Sequence, residues 1–197
     1  MQPTGLFGNA NVKHVCARAG AQICGRVRRL AGGNPALMAF CAALFFALSA
    51  LGGPSLTLAQ LRNDPSLTPE RFMSYFRDFD FKLVPVLQSP DAFLAAKAGD
   101  CADFASLADE VFRQKHYTTE LIAVFMNGQT HVVCYLKEAH GYLDYNRRRE
   151  VPGLQPSDGS LEDIANQVAA YFRTNWSSAA VFKYENNYPE FGNIVFR

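Results

Sequence analysis

The run Glu120-Leu121-Ile122-Ala123-Val124-Phe125-Met126-Asn127-Gly128-Gln129-Thr130-His131-Val132-Val133-Cys134-Tyr135-Leu136-Lys137 reads as an antiparallel hairpin. Two apolar runs containing β-branched and aromatic residues flank Asn-Gly, the dipeptide that best tolerates the positive φ angles of a two-residue turn. The strands are expected over 120–126 and 129–137. Side chains alternate along a strand. His131, Val133 and Tyr135 therefore share one face, and Val132, Cys134 and Leu136 the other.

Upstream of the hairpin the periodicity is helical. Thr68-Pro69-Glu70 opens a helix, with Thr68 as cap and Pro69 in the first turn. Phe72, Tyr75, Phe76 and Phe79 then fall on one face. Ser89-Pro90-Asp91 opens a short second helix that ends at Gly99. Asp100 caps a third, in which Phe104, Leu107, Ala108, Val111 and Phe112 recur at helical spacing. Lys115 suits the negative end of that helix, and His116 takes the left-handed position that terminates it.

Downstream, Gly141 marks a turn and Tyr142–Tyr145 a third strand. Ser160 caps a helix running to about Phe172, with Asp163 at the capping-box position. Residues 179–184 and 194–196 read as closing strands. The expected fold class is α+β, with N-terminal helices packed on an antiparallel sheet.

The 197 residues suffice for one domain and an N-terminal extension. A net charge of +1 supplies no field for nucleic acid, which is not expected as a partner. No acidic residue precedes Asp64, whereas Lys13, Arg18, Arg26, Arg28 and Arg29 precede the apolar run 35–51. That order matches an export signal. Thr57-Leu58-Ala59 is the expected cleavage site, with an uncleaved membrane anchor as the alternative reading. An organelle transit peptide and a buried helix are weaker alternatives.

The chain thus divides into a signal peptide or anchor (1–59), a polar linker (60–67) and a folded domain (68–197). The domain is expected to be exported, either periplasmic, where an inner-membrane anchor could hold it, or secreted. Of the five cysteines, Cys16, Cys24 and Cys41 lie in the leader. Cys101 and Cys134 remain, too few for a disulfide framework.

Gly99-Asp100-Cys101-Ala102-Asp103-Phe104-Ala105 places a thiol one position after a helix cap. Unpaired N–H groups and the helix dipole there favour thiolate, while Asp100 and Asp103 oppose it. His131 is the candidate base. If it faces Cys101, strand parity turns Cys134 away, which argues against a Cys101–Cys134 disulfide. No CxxC or HxxxH spacing supports a zinc site. Asp144, between Leu143 and Tyr145, is costly to bury unless bonded, and an imidazole N–H would meet that need. Pairing with Arg147 or Arg148 is the competing reading, and Asn146 is a weaker candidate for the same role.

These residues carry a resemblance. Gly99-Asp100-Cys101-Ala102-Asp103-Phe104-Ala105, His131-Val132-Val133 and Leu143-Asp144-Tyr145 resemble the transglutaminase-like superfamily, most closely its bacterial transglutaminase-like cysteine proteinases. The likeness spans roughly residues 68–146. It implies a papain-like core with Cys101 as nucleophile, His131 as base and acid, and Asp144 as orienter. The departure is His116, where relatives usually carry a helix-ending Gly. Some relatives bind calcium through acidic residues near the Cys. Asp100 and Asp103 could contribute, but no dense acidic cluster accompanies them, so neither cofactor nor metal is expected.

The implied activity is cleavage of peptide or amide bonds through a thioester, on a peptide or protein substrate. The Cys101 N–H is one expected oxyanion donor. Gln88, the amide closest upstream, is the candidate for the second. A crosslinking transglutaminase, a non-catalytic scaffold and a cell-wall cysteine amidase are the alternatives. Trp176, Phe182, Tyr184, Tyr188 and Phe191 line a groove or, more commonly for such residues, pack as core and edge. Arg147-Arg148-Arg149 reads as a solvated turn or, less readily, a site for an acidic partner. His140 reads as an exposed turn residue. Oligomeric state is left open.

Overall fold

In the computed structural model, residues 56–186 and 188–197 are described. The expected leader features before residue 56, including Cys16, Cys24, Cys41 and the apolar run, lie outside them. Among the described residues no helix is long and apolar enough to cross a membrane.

Helices precede the main sheet: α1 (Leu58–Asn63), α2 (Pro69–Ser74), α3 (Pro90–Ala96) and α4 (Cys101–Gln114). A small parallel pair, β1 (Asp80–Phe81) and β2 (Ala98–Gly99), is threaded among them. Then come β3 (Thr119–Met126), β4 (Gln129–Leu136), β5 (Gly141–Leu143), β6 (Leu154–Pro156), α5 (Leu161–Tyr171), β7 (Trp176–Glu185) and β8 (Tyr188–Phe196). The six-stranded sheet runs β6-β5-β4-β3-β7-β8, and every neighbouring pair in it is antiparallel. The architecture is α+β, as the sequence implies.

Local chemistry explains the elements. Thr68, Ser89, Asp100 and Ser160 each cap a helix through the side chain. Gly128, at φ 78, turns the β3–β4 hairpin. His116, at φ 66, ends the α4 region in the left-handed conformation. Lys97 takes the same conformation one residue after α3, so that helix stops before Gly99, and Gly99 joins β2 instead. Asp163 does not complete a capping box. Its carboxylate accepts from Ser157 Oγ and Gln167 Nε2. The closing strands are longer than expected because β7 and β8 support each other as one hairpin.

The expected linker is a correction. Leu58 and Leu61 of α1, and Leu67 beyond it, are buried in the core that α2, α3 and α4 share with the sheet. Lys115 Nζ donates to the Asp64 carbonyl at 2.5 Å, and Arg62 pairs with Glu110. Polar residues dominate 60–67 in number, but the few leucines decide its placement. Thr57-Leu58-Ala59 likewise forms the cap and first turn of α1, where the Thr57 and Gln60 side chains make a reciprocal capping box. Leu61→Ala should therefore lower the unfolding free energy by about 2–5 kcal/mol. Urea midpoints unchanged by that substitution would restore the linker.

Two cores flank the sheet. One, under α4, holds Phe72, Phe76, Phe104, Phe112 and Cys134. The other, under α5, holds Ile122, Val133, Tyr142, Ile164 and Val168. The strand alternation expected for β4 is present, since Val132, Cys134 and Leu136 face α4 while Val133 and Tyr135 face α5.

Candidate active site

Cys101 is the first residue of α4 and is 9% exposed. Its position is set by a reciprocal capping box. Asp100 Oδ1 accepts from the N–H groups of Ala102 (2.9 Å) and Asp103 (3.3 Å), and Asp103 Oδ2 accepts from the Asp100 N–H (3.1 Å). Each carboxylate thus satisfies N–H groups that a helix start leaves bare. No acceptor among the described residues takes the N–H of Cys101 itself.

Gln88, the candidate for the second oxyanion donor, is already bonded to other groups. Its Nε2 donates to the Ala98 carbonyl (3.1 Å) and to Asp103 Oδ2 (2.8 Å), which engages both amide hydrogens. Its backbone N–H donates to Asp103 Oδ1 at 2.8 Å. Gln88 is therefore a brace for the capping box. The sequence placed it correctly near the thiol, but proximity along the chain carries no direction for an amide.

Gly99 belongs to the same assembly. A Cβ there would lie 2.5 Å from Asp103 Oδ2, 2.6 Å from Phe93 and 2.8 Å from Gln88 Nε2. Gly99→Ala should displace the brace and cost about 1–3 kcal/mol of stability. Unfolding curves would show it, and an unshifted midpoint would mean that this junction yields freely.

His131 sits near the start of β4, where β5 no longer pairs with it, since the β4–β5 ladder covers only Cys134 to Leu136. Beyond that ladder the β5 chain turns into a short 3-10 segment, Tyr145–Arg147, capped by Asp144. Across this opening His131 Nε2 donates to Asp144 Oδ1 at 2.8 Å. The same oxygen accepts from the Asn146 N–H at 2.8 Å. Asp144 is fully buried, and its Oδ2 has no partner among the described residues. Burial disfavours a charged imidazole, but it is outweighed by the Asp144 charge and hydrogen bond, then by a hydrogen bond with Cys101 and the charge on its sulfur. The imidazole is raised to about 10 as a result. With Nε2 taken by Asp144, Nδ1 is the nitrogen left for the sulfur.

The arginines do not compete for Asp144. Arg147 bonds to Gln155 and reaches Glu150 at 3.7 Å. Arg148 is buried, donates to the carbonyls of Phe79 and Tyr145, and stacks 4.3 Å over the Tyr145 ring. Arg149 Nε donates to the Arg77 carbonyl at 3.1 Å. Arg148 and Arg149 thus tie the end of the 3-10 segment to the loop before β1, which corrects the solvated-turn reading for the buried Arg148. Asn146 Oδ1 is buried without a partner among the described residues, so its amide does not take the role of Asp144.

Cys134 needs a second correction. It lies in the core beneath α4, on the side of the helix that carries Cys101. Both thiols are nevertheless free. Strand parity alone pointed to the right outcome for the wrong reason.

Phe172, just after α5, is a residue the sequence did not single out for the site. Its ring meets the His131 ring edge-on, with centroids 4.9 Å apart, and shields it from solvent. Its only sequence signal was an aromatic at a helix end.

The oxygens of Asp100 and Asp103 accept from backbone N–H groups and Gln88, and among the described residues no group of three His, Cys, Asp or Glu side chains is arranged to hold a metal.

No protein-family model matches this sequence, and no curated protein does. Among solved structures the chain is similar to EGTA-treated LapG of Legionella pneumophila. The identity is 15% and the TM-score 0.42, over 69% of this chain and 76% of that one. It is also similar to a proposed cysteine protease from Cytophaga hutchinsonii, at 12% identity and a TM-score of 0.34, over 71% of this chain and 48% of that one. The chemistry of this chain is accordingly read from its own side chains.

A groove of about 890 Å³ runs beside α4, between that helix and the β7–β8 hairpin. Cys101, His131 and Asp144 do not line it. Phe182, Tyr184 and Phe191 do, so part of the aromatic cluster read from sequence is groove wall. Trp176 is instead buried, with its indole N–H donating to Asn166 Oδ1 at 2.8 Å. Tyr188 projects into solvent.

Proposed function

We propose that this chain is a cysteine hydrolase that cleaves peptide or amide bonds with Cys101 as nucleophile, His131 as acid and base, and Asp144 as orienter. The single observation that supports this reading most is the buried 2.8 Å His131–Asp144 bond, on an imidazole whose hold on its proton the Cys101 sulfur also strengthens.

In this mechanism Cys101 Sγ attacks the carbonyl carbon, and the carbonyl electron pair moves to oxygen. The Cys101 N–H, which has no acceptor among the described residues, is free to donate to that oxyanion. The oxyanion collapses, the C–N bond breaks, and the leaving amine takes a proton from His131. The thioester that remains is attacked by water, which His131 deprotonates, and the thiol is released with the acid product. Asp144 holds the ring in one tautomer throughout and offsets its positive charge. Phe172 limits water at the ring.

The test is a covalent one. An aldehyde or chloromethyl ketone peptide should label Cys101 alone, as peptide mapping would show, and prior alkylation of Cys101 should abolish hydrolysis. Hydrolysis that survives full alkylation would refute the assignment. Substituting a labelled amine for water separates a crosslinking transferase from a hydrolase, because the amine would then appear in the product. We also propose that the domain is exported, on the strength of the acid-free basic leader and its apolar run.

A further inference from the structure

We infer that the groove between α4 and the β7–β8 hairpin is the binding cleft for the substrate chain, and that it selects a peptide carrying a large apolar side chain next to a cationic one. This deepens the thiol-hydrolase reading and rests on it for the direction in which the peptide runs.

The groove has the volume of a ligand site, about 890 Å³. Its floor is apolar. Leu121 and Phe182 are buried in the sheet, and Phe191 lies over Phe182 and Phe125 with centroids 5.7 Å from each. Phe191 is nevertheless 47% exposed. An aromatic ring held by two others yet open above offers a seat for an incoming apolar side chain.

The rim carries charge of both signs, and most of it is already paired. Arg113 pairs with Asp109 at 3.4 Å, and Lys183 with Glu190 at 3.1 Å. Glu110 pairs with Arg62. Glu120, which also lines the groove, has no ion-pair partner among the described residues. The unmet charge of the groove is thus negative, and a lysine or arginine of the bound chain complements it.

Continuity with the thiol comes from Tyr184. It lines the groove and packs against the core cluster to which Cys101 belongs. Burial raises its phenol to about 12, and the charges of Asp100, the Cys101 sulfur and Asp103 act in the same direction. Ser106 lines the groove as well, and it lies five residues after Cys101 on α4, about 7.5 Å at helical rise. A peptide lying along α4 over Phe191 and Leu121 passes Tyr184 on its way to the sulfur.

The experiment measures binding and turnover separately. The full chain with Cys101→Ala is titrated with three fluorescein-labelled octapeptides: one with a Phe followed by a Lys, one with the Phe replaced by Ser, and one with the Lys replaced by Glu. The first should bind at least about tenfold more tightly than either of the others. Phe191→Ser in the protein should erase the preference for Phe, and Glu120→Lys should invert the preference between Lys and Glu. Both positions are at least partly open to solvent, and unchanged urea midpoints would verify the variants.

Equal affinity for all three peptides, or preferences untouched by both substitutions, would overturn the inference. Selective binding to Cys101→Ala together with no hydrolysis of the same peptides by the unsubstituted chain would refute the enzyme reading and leave the cleft standing. Hydrolysis with kcat/KM indifferent to Phe191→Ser and Glu120→Lys would do the reverse.

Discussion

Cys101→Ala is expected to reduce hydrolysis to background, and His131→Gln to reduce it by about a thousandfold or more. The reasoning is that each removes a different atom from one reaction coordinate. Without Sγ no thioester forms. Without the imidazole the sulfur has no base, and the leaving amine has no proton donor. Glutamine approximates the size of the ring, so the pocket beneath Phe172 stays filled while proton transfer is lost. The double variant should be no slower than Cys101→Ala alone, because the two groups act as a unit. Turnover of a chromogenic peptide amide, followed with urea midpoints on the same samples, checks this. Near-normal turnover in either variant would sink the assignment.

Asp144→Asn carries the second-largest effect and isolates charge from shape. The amide oxygen can still accept from His131 Nε2 and from the Asn146 N–H, which Asp144 Oδ1 now holds at 2.8 Å each. What disappears is the negative charge. The imidazole is raised from 6.5 to about 10, and Asp144 supplies the largest of the contributions that raise it. The variant should therefore lose about 10²–10⁴ in kcat/KM, and the alkaline limb of its pH profile should move toward neutrality.

The same residue predicts a stability trend. A histidine that holds its proton more tightly folded than unfolded contributes stability that is fully present below 6.5 and is lost as pH rises toward 10. The wild type should exceed Asp144→Asn in unfolding free energy by most at pH 6, and the gap should narrow steadily toward pH 10. Urea titrations at pH 6, 8 and 10 measure it. A gap that widens with pH would mean that the imidazole is neutral in the folded chain.

Much of the site was legible in the sequence because its parts are local. The Asp100 cap and the thiol one residue later follow from the exposed N–H groups of any helix start. The Asn127-Gly128 turn follows from backbone sterics, and it fixes where His131 falls on β4. The approach of Asp144 to His131 was an expectation drawn from the expense of burying a carboxylate. Its competitors were removed by other partners: Gln155 and Glu150 take Arg147, and the carbonyls of Phe79 and Tyr145 take Arg148. Gln88 shows the limit from the other side. Its place near the thiol could be read, whereas the direction of its amide depends on Asp103 and Ala98.

Caps, turns, strand alternation, the hairpin and the presence of a thiol at a helix mouth follow from what neighbouring residues settle between themselves. Short-range sterics and hydrogen bonds within a few residues are enough for that. The packed fold was needed to settle what distant segments do when they meet. It folded 58–67 into the core through three leucines, set Phe172 against the imidazole and left Glu120 unpaired at the groove. Such outcomes depend on which surfaces exclude water together, and that quantity belongs to the packed chain rather than to any stretch of it.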